Sequence, residues 1–291
     1  MKLKFLLILF FVVAFCLPGF AQVILAPDLQ CVQNDQVNGD ILLSWTNPPA
    51  NPCGAFAEYT IYTSKTGPGG PFDSVSVTNQ AATSQLLTGY LGISPTWYFY
   101  MVAKYNCPGA TVLSSDTVNN LNPTTPTIVN VEVTANGDVI FNWEPGPSPQ
   151  TQCYIIYYYL PNGLAVPLDT VCGYSSSTYL DVIGDPTTGS LVYTIAAVDS
   201  CGKISAYSTS PHNTIYATAG TVACQSQVNL AWNRYINWPQ SVLRYEVWVS
   251  RNDSAFSKVA DVDTTNLVYN YTGFDDGDSL QIYIRAVSAA D

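Results

Sequence analysis

Seven of the eight cysteines and the one histidine are the residues of this chain best suited to chemistry, and their spacing decides what kind. Beyond the first 21 residues the cysteines stand at Cys31, Cys53, Cys107, Cys153, Cys172, Cys201 and Cys224. A structural zinc needs two to four thiolates converging at short spacing. None of these are so spaced, and export into an oxidising compartment points to disulfides instead. The odd total leaves at least one cysteine unpaired or bonded to missing sequence. His212 stands among Ser210, Pro211 and Asn213, which reads as a surface position in a linker or strand entry, not as a general base. No serine sits in a Gly-x-Ser-x-Gly elbow, and the glycines lack phosphate-loop order. The carboxylate pairs Glu132/Asp138 and Asp181/Asp185 fall in or beside turns, whereas a glycosidase holds two carboxylates across a cleft. Asp275, Asp276, Gly277 and Asp278 offer oxygens but lack the length and terminal glutamate of a twelve-residue calcium loop; a solvated turn is the reading. The expectation is a non-enzyme with no catalytic residue, no metal and no cofactor. One binding chemistry stays open. Trp97, Tyr98, Tyr100, Tyr157, Tyr158 and Tyr159 supply aromatic faces for sugar stacking, with Trp97 and Tyr158 as the candidates, although alternation along strands accounts for much of this pattern.

The elements that carry these residues recur three times. Ile41, Leu43 and Trp45 alternate with other residues and lead through a turn-rich stretch to Tyr59, Ile61 and Thr63. The second copy reads Val139, Phe141, Trp143, then Tyr154, Ile156, Tyr158; the third reads Val228, Leu230, Trp232, then Tyr245, Val247, Val249. Further on, Trp97, Phe99, Met101 and Ala103 match Leu191, Tyr193, Ile195 and Ala197, and then Leu280, Ile282, Ile284 and Ala286. From each tryptophan to the matching alanine is 58, 54 and 54 residues. Period-two alternation with frequent turns, and no stretch of helical period, predicts strands. About seven strands per copy, with a buried tryptophan on an early one, predict all-β, tandem immunoglobulin-like β-sandwiches. The polar segments Asn119 to Pro126 and Ser210 to Gly220 read as linkers, which sets modules at 22–124, 125–219 and 220–291. The third ends before its last strand and reads as incomplete, the chain being a fragment of something longer.

Position predicts two disulfides. Cys107 and Cys201 each follow the matching alanine by four residues, while Cys53 and Cys153 each lie shortly before the second alternating strand. The third copy lacks both members, as a bonded pair would. Cys53 with Cys107 and Cys153 with Cys201 are therefore expected, with Cys172 as the rival partner for Cys153.

Lys2 and Lys4, an apolar run from Phe5 to Leu17, and Gly19 to Gln22 form a secretory signal peptide over 1–21. Its 13 apolar residues fall short of the roughly 20 that span a bilayer, so no transmembrane segment is expected after cleavage. The three modules carry 2, 1 and 5 basic against 6, 7 and 8 acidic side chains. Without a basic cluster the surface repels a phosphate backbone, which disfavours nucleic acid.

The run Ala197, Val198, Asp199, Ser200, Cys201, Gly202, Lys203, Ile204, Ser205, Ser208, His212, Thr214, Ile215, with Cys224, Val228, Leu230, Trp232, Asn233, Tyr235 and Trp238, resembles repeats in Bacteroidetes surface proteins associated with gliding motility. The resemblance implies fibronectin type III-like domains over nearly the whole mature chain, export by type IX secretion, and a secreted or outer-surface location with a role in adhesion. It carries no catalytic residue. The C-terminal sorting domain of that family is not in this sequence. Asp73-Ser74-Val75, Asp116-Thr117-Val118, Asp169-Thr170-Val171 and Asp253-Ser254-Ala255 look like the O-glycosylation acceptors of such bacteria. The leading expectation is a non-catalytic adhesive or spacer segment. A carbohydrate-binding module and an accessory segment of a secreted enzyme are the alternatives, and the partner is open between protein and glycan.

Overall fold

The computed structural model describes residues 22–35, 37–50, 53–90, 95–222 and 225–289, so the leader and Cys224 lie outside the described residues. Every element among those residues is a strand. The reason is visible in the burial of the repeated segments. Ile41, Leu43 and Trp45, then Val139, Phe141 and Trp143, then Val228, Leu230 and Trp232 are all buried, and the residues between them are not. A period of two turns such residues to one face of a sheet.

Contacts divide the chain into two compact units. One takes Trp45–Gln85 and Trp97–Thr117 with the chain up to Leu29; the other takes Gln30–Ser44, Leu86–Thr96 and Val118–Asp291. The first repeat runs β1 (Val23–Ile24), β2 (Asp28–Asn34), β3 (Ile41–Thr46), β4 (Phe56–Ser64), β5 (Asp73–Val77), β6 (Ser84–Leu87), β7 (Tyr98–Tyr105), β8 (Thr111–Val112) and β9 (Val118–Asn119). Within it β2, β3 and β6 form one sheet, and β4 pairs antiparallel with β5 and with β7.

The second repeat runs β10 (Thr127–Val133), β11 (Val139–Glu144), β12 (Thr151–Tyr159), β13 (Ala165–Cys172), β14 (Thr178–Asp181), β15 (Val192–Asp199) and β16 (His212–Asn213). Its sheets are ordered β10-β11-β14 and β13-β12-β15-β16. Ile128, Phe141 and Trp143 from the first meet Tyr154, Ile156, Tyr193 and Ile195 from the second in one core. Two antiparallel sheets closed over a shared apolar layer make a sandwich. The third repeat has β17 (Ala217–Thr221), β18 (Val228–Trp232), β19 (Val242–Arg251), β20 (Ser257–Val262), β21 (Val268–Tyr271) and β22 (Leu280–Ser288). Its sheets, β17-β18-β21 and β20-β19-β22, close over Leu230, Trp232, Tyr245 and Val247.

Register shows that the three repeats are one design. Tyr59 faces Ala103, Tyr154 faces Ala197, and Tyr245 faces Ala286. In each repeat the early tryptophan meets that tyrosine, with ring centroids 5.9, 5.4 and 5.8 Å apart. A small alanine opposite each tyrosine leaves room for that large ring within the close-packed interior.

Two linker expectations need correction. Strand β17 runs across the expected boundary between 219 and 220 and pairs with β18 from Ala217 onward. The stretch before it is not a free tether either, because His212 and Asn213 pair with Tyr193 and Val192. The segment after β9 is pinned to the second repeat by Asn122, whose side chain donates to the Ile204 carbonyl, and by Thr125, which donates to that of Ala206.

Candidate functional site

Three disulfides occur among the described residues: Cys53 with Cys107, Cys153 with Cys172, and Cys31 with Cys201. The expected Cys153–Cys201 pair is not among them, and the register explains why. Cys153 lies inside β12 directly opposite Cys172 on β13. Next to that pair the Gly173 amide donates to the Gln152 carbonyl at 2.8 Å, so the two cysteines form a non-hydrogen-bonded pair, the kind in which facing side chains come closest. Their Cα atoms are 4.0 Å apart. On its other side Cys153 faces Val198. Cys201 is carried off by a turn in which Asp199 Oδ1 accepts the amides of Cys201 and Lys203 at 2.9 and 2.8 Å. In the first repeat Cys53 and Cys107 both lie outside the last strand pair, Phe56 with Tyr105, where two loops meet.

Cys31 on β2 and Cys201 after β15 belong to successive repeats, so their bond ties one repeat to the next. Polar groups gather around that tie. The Asn120 main-chain oxygen accepts from Asn34 Nδ2 at 3.1 Å and from Lys203 Nζ at 3.0 Å. Asp199 is 3% exposed; burial pushes its carboxyl up, against the Lys203 amide and charge. Burial likewise pulls the Lys203 amine down, against the pull of Asp199.

A second joint links the second and third repeats. His212 is 1% exposed, not the surface residue its sequence context suggests. Tyr235, in the loop between β18 and β19, accepts the Val131 amide at 2.9 Å. Its hydroxyl hydrogen is thereby free to point at His212 Nδ1, 3.0 Å away. Asn213 grips the same loop from both ends, donating to the Arg234 carbonyl and accepting the Ile236 amide. Asn237 sits at φ 61, a left-handed backbone that asparagine tolerates better than most residues, and its side chain donates to the Pro211 carbonyl at 2.6 Å. Burial pushes the imidazole down to about 4, opposed by a main-chain hydrogen bond with Asn237. Burial also raises the Tyr235 hydroxyl far above its usual value. These groups brace a joint between the second and third repeats.

The sugar-stacking candidates stand on different repeats. Trp97 is half-buried just before β7. Tyr158 packs against the second core, meets Tyr193 edge-on at 6.0 Å, and lines an open cleft of about 590 Å³ with Tyr159, Pro161, Ser190, Thr209 and Pro211. Other aromatics serve as cross-strand pairs. Tyr62 stacks on the facing Tyr100 at 4.6 Å, and at the same register Trp248 stacks on Tyr283 at 5.9 Å. Such pairs contribute to sheet stability themselves. Beside the second pair Glu246 receives Arg244, Lys258, Arg285 and the Trp248 indole. Burial raises its carboxyl, but the indole and the three cations together hold it below the usual range.

Among the described residues no group of three His, Cys, Asp or Glu side chains is placed to hold a metal ion, and no helix is long and apolar enough to cross a membrane. The chain is an all-β array of small repeated sandwiches of the immunoglobulin and fibronectin type III kind. No family model matches it, and no curated protein matches it. Among solved structures it is similar to the FN1–FN3 domains of chicken CNTN1, at 12% identity over 93% of this chain and 94% of that chain, with a TM-score of 0.29. Similarity at that level carries nothing about ligands or partners.

Proposed function

We propose that this chain is a non-catalytic spacer or adhesive segment working outside the cell, in which successive sandwiches are held in fixed relation instead of being strung on flexible tethers. The observation that carries this reading is the joint at Tyr235. Buried polar groups must be paired, and here Val131, His212 and Tyr235 satisfy one another only while the second and third repeats stay docked. Inter-domain motion is the default for a chain of modules, so a joint built from buried, mutually dependent hydrogen bonds implies selection for stiffness. The disulfide framework and the resemblance to exported surface proteins support an oxidising, secreted or outer-surface setting. Pulsed electron resonance between nitroxides at Thr170 and Asp263 is the test. A narrow distance distribution that broadens in Tyr235→Phe supports the reading, and a broad distribution in the unmutated chain sinks it.

A second reading, carbohydrate binding, draws on the Tyr158 cleft, where aromatic rings stand beside the Ser190 and Thr209 hydroxyls. Glycan-array binding lost on Tyr158→Ala would favour it. A silent array at high protein concentration would retire it.

A further inference from the structure

Asn34 and Lys203 share one acceptor. The Asn34 carboxamide nitrogen and the Lys203 amine lie 3.1 and 3.0 Å from the same Asn120 oxygen, so they stand no farther apart than those two distances laid end to end. The other atom of that carboxamide, Asn34 Oδ1, is buried and has no hydrogen-bond partner. The Cys31–Cys201 bond ties the two segments three residues before Asn34 and two residues before Lys203. Holding two reacting groups together in this way replaces a bimolecular encounter by an intramolecular one, with a large gain in effective concentration. Asp199 completes the set. It binds the Lys203 amide at 2.8 Å and interacts electrostatically with the Lys203 amine. Burial pushes the amine and the carboxyl each toward its uncharged form. An uncharged amine is a nucleophile, and an uncharged carboxyl is a proton donor.

We propose that Lys203 and Asn34 form an intramolecular amide bond across the joint between the first and second repeats, with Asp199 relaying the protons. The Nζ lone pair attacks Asn34 Cγ; the Nζ–Cγ bond forms, and the carbonyl electron pair moves onto Oδ1, which takes the Asp199 proton. The resulting carboxylate removes a proton from Nζ and passes it to Nδ2. The Cγ–Nδ2 bond then breaks, ammonia leaves, and the Oδ1 proton returns to Asp199. Nothing is oxidised or reduced. The product keeps one N–H on Nζ for the Asn120 oxygen, so one donor replaces two that compete. The bond is independent of what the joint is for, and its absence would leave the spacer reading where it stands.

Peptide mapping of the full chain after reduction and alkylation tests this, because reduction removes the disulfide that otherwise joins the same two peptides. The expected result is a single branched species containing Asn34 and Lys203, lighter than its two parts by one ammonia and uncut by trypsin after Lys203. Lys203→Arg should return both peptides in linear form, and Asp199→Asn should return them mostly so. Two linear peptides of full mass in the unmutated chain overturn the proposal. So does ammonia loss confined to a linear Asn34 peptide, or a branched species that survives Lys203→Arg. The unmutated chain decides the matter even where a variant fails to fold.

Discussion

His212 is the only histidine in the chain, so one imidazole resonance reports one site without assignment. Its Nδ1 is placed to accept from Tyr235, whose oxygen already receives the Val131 amide, and a protonated ring has no acceptor to offer. Burial lowers the imidazole from 6.5 to about 4. Because the folded value lies below the unfolded one, the unfolded chain takes up the proton first as pH falls. The stabilisation is therefore fully present above about 6.5, declines as pH falls toward about 4, and changes no further below that. The whole interval corresponds to roughly 3 kcal/mol, a substantial part of the roughly 5–15 kcal/mol of a typical domain. Histidine-labelled protein followed by NMR from pH 7.5 to 5 provides the assay, and it stops above the sequence pI of 4.2. At pH 5.5 an ordinary histidine is roughly nine-tenths protonated, and this one should be only roughly one-thirtieth. Tyr235→Phe removes the donor that favours the neutral ring and should move the midpoint upward. A midpoint near 6.5 in the unmutated chain, or a protonated fraction at pH 5 that Tyr235→Phe leaves unchanged, would refute the account of this joint.

Non-reducing peptide mapping should recover Cys153 linked to Cys172 and Cys31 linked to Cys201; a dominant Cys153–Cys201 peptide would show the β12 register to be wrong. Tyr193 and Tyr154 are both fully buried, but Tyr193 donates to the carboxylate of Asp181 at 2.7 Å and Tyr154 to a neutral carbonyl at 2.6 Å. Tyr193→Phe should accordingly cost about 1.5–3 kcal/mol and Tyr154→Phe about 0.5–1.5 kcal/mol, read by hydrogen exchange of β12 and β15 amides, and equal or reversed losses would contradict the assignment. Lys104, with Ser76 and Thr60, holds the Glu58 carboxyl at about 2, so its contribution is full above the ordinary 4.5 and lost as pH falls toward 2. Glu58→Gln should flatten the acid limb of β4 and β7 protection, and an unchanged limb would count against the ion pair.

The sandwich register was legible because it rests on local alternation repeated three times: tryptophan, tyrosine and alanine recur in the same order on the same alternating segments, and each meets its counterpart in space. The cysteine pairing was less so. Cys107 and Cys201 do occupy matching places, but Cys53 stands six residues before Tyr59 whereas Cys153 stands one before Tyr154. Counting back from the tyrosine puts Cys153 inside a strand; which neighbour it then faces depends on the sheet order, which no single strand encodes. His212 misled for a related reason. A two-residue strand beside Pro211 looks like a tether, and the loop that buries it comes from the following repeat. Asn34 and Lys203 converge only because successive repeats dock, and that contact has no periodic signature. The acidic balance and the spacing of the polar residues named no partner.

The bond between Cys31 and Cys201 also decides where tension travels. These residues are 170 positions apart in sequence but 5.3 Å apart at Cα. A pull applied to the chain on either side crosses from one sulfur to the other and bypasses everything between, including both other disulfides. A segment that would pay out to roughly 600 Å if drawn straight is thereby removed from the load path. While the bond is intact the residues between Cys31 and Cys201 are held out of the line, whereas a thiol reductant acting at Cys201 returns that hidden length to it. The bond thus holds a reservoir of slack gated by chemistry instead of by force.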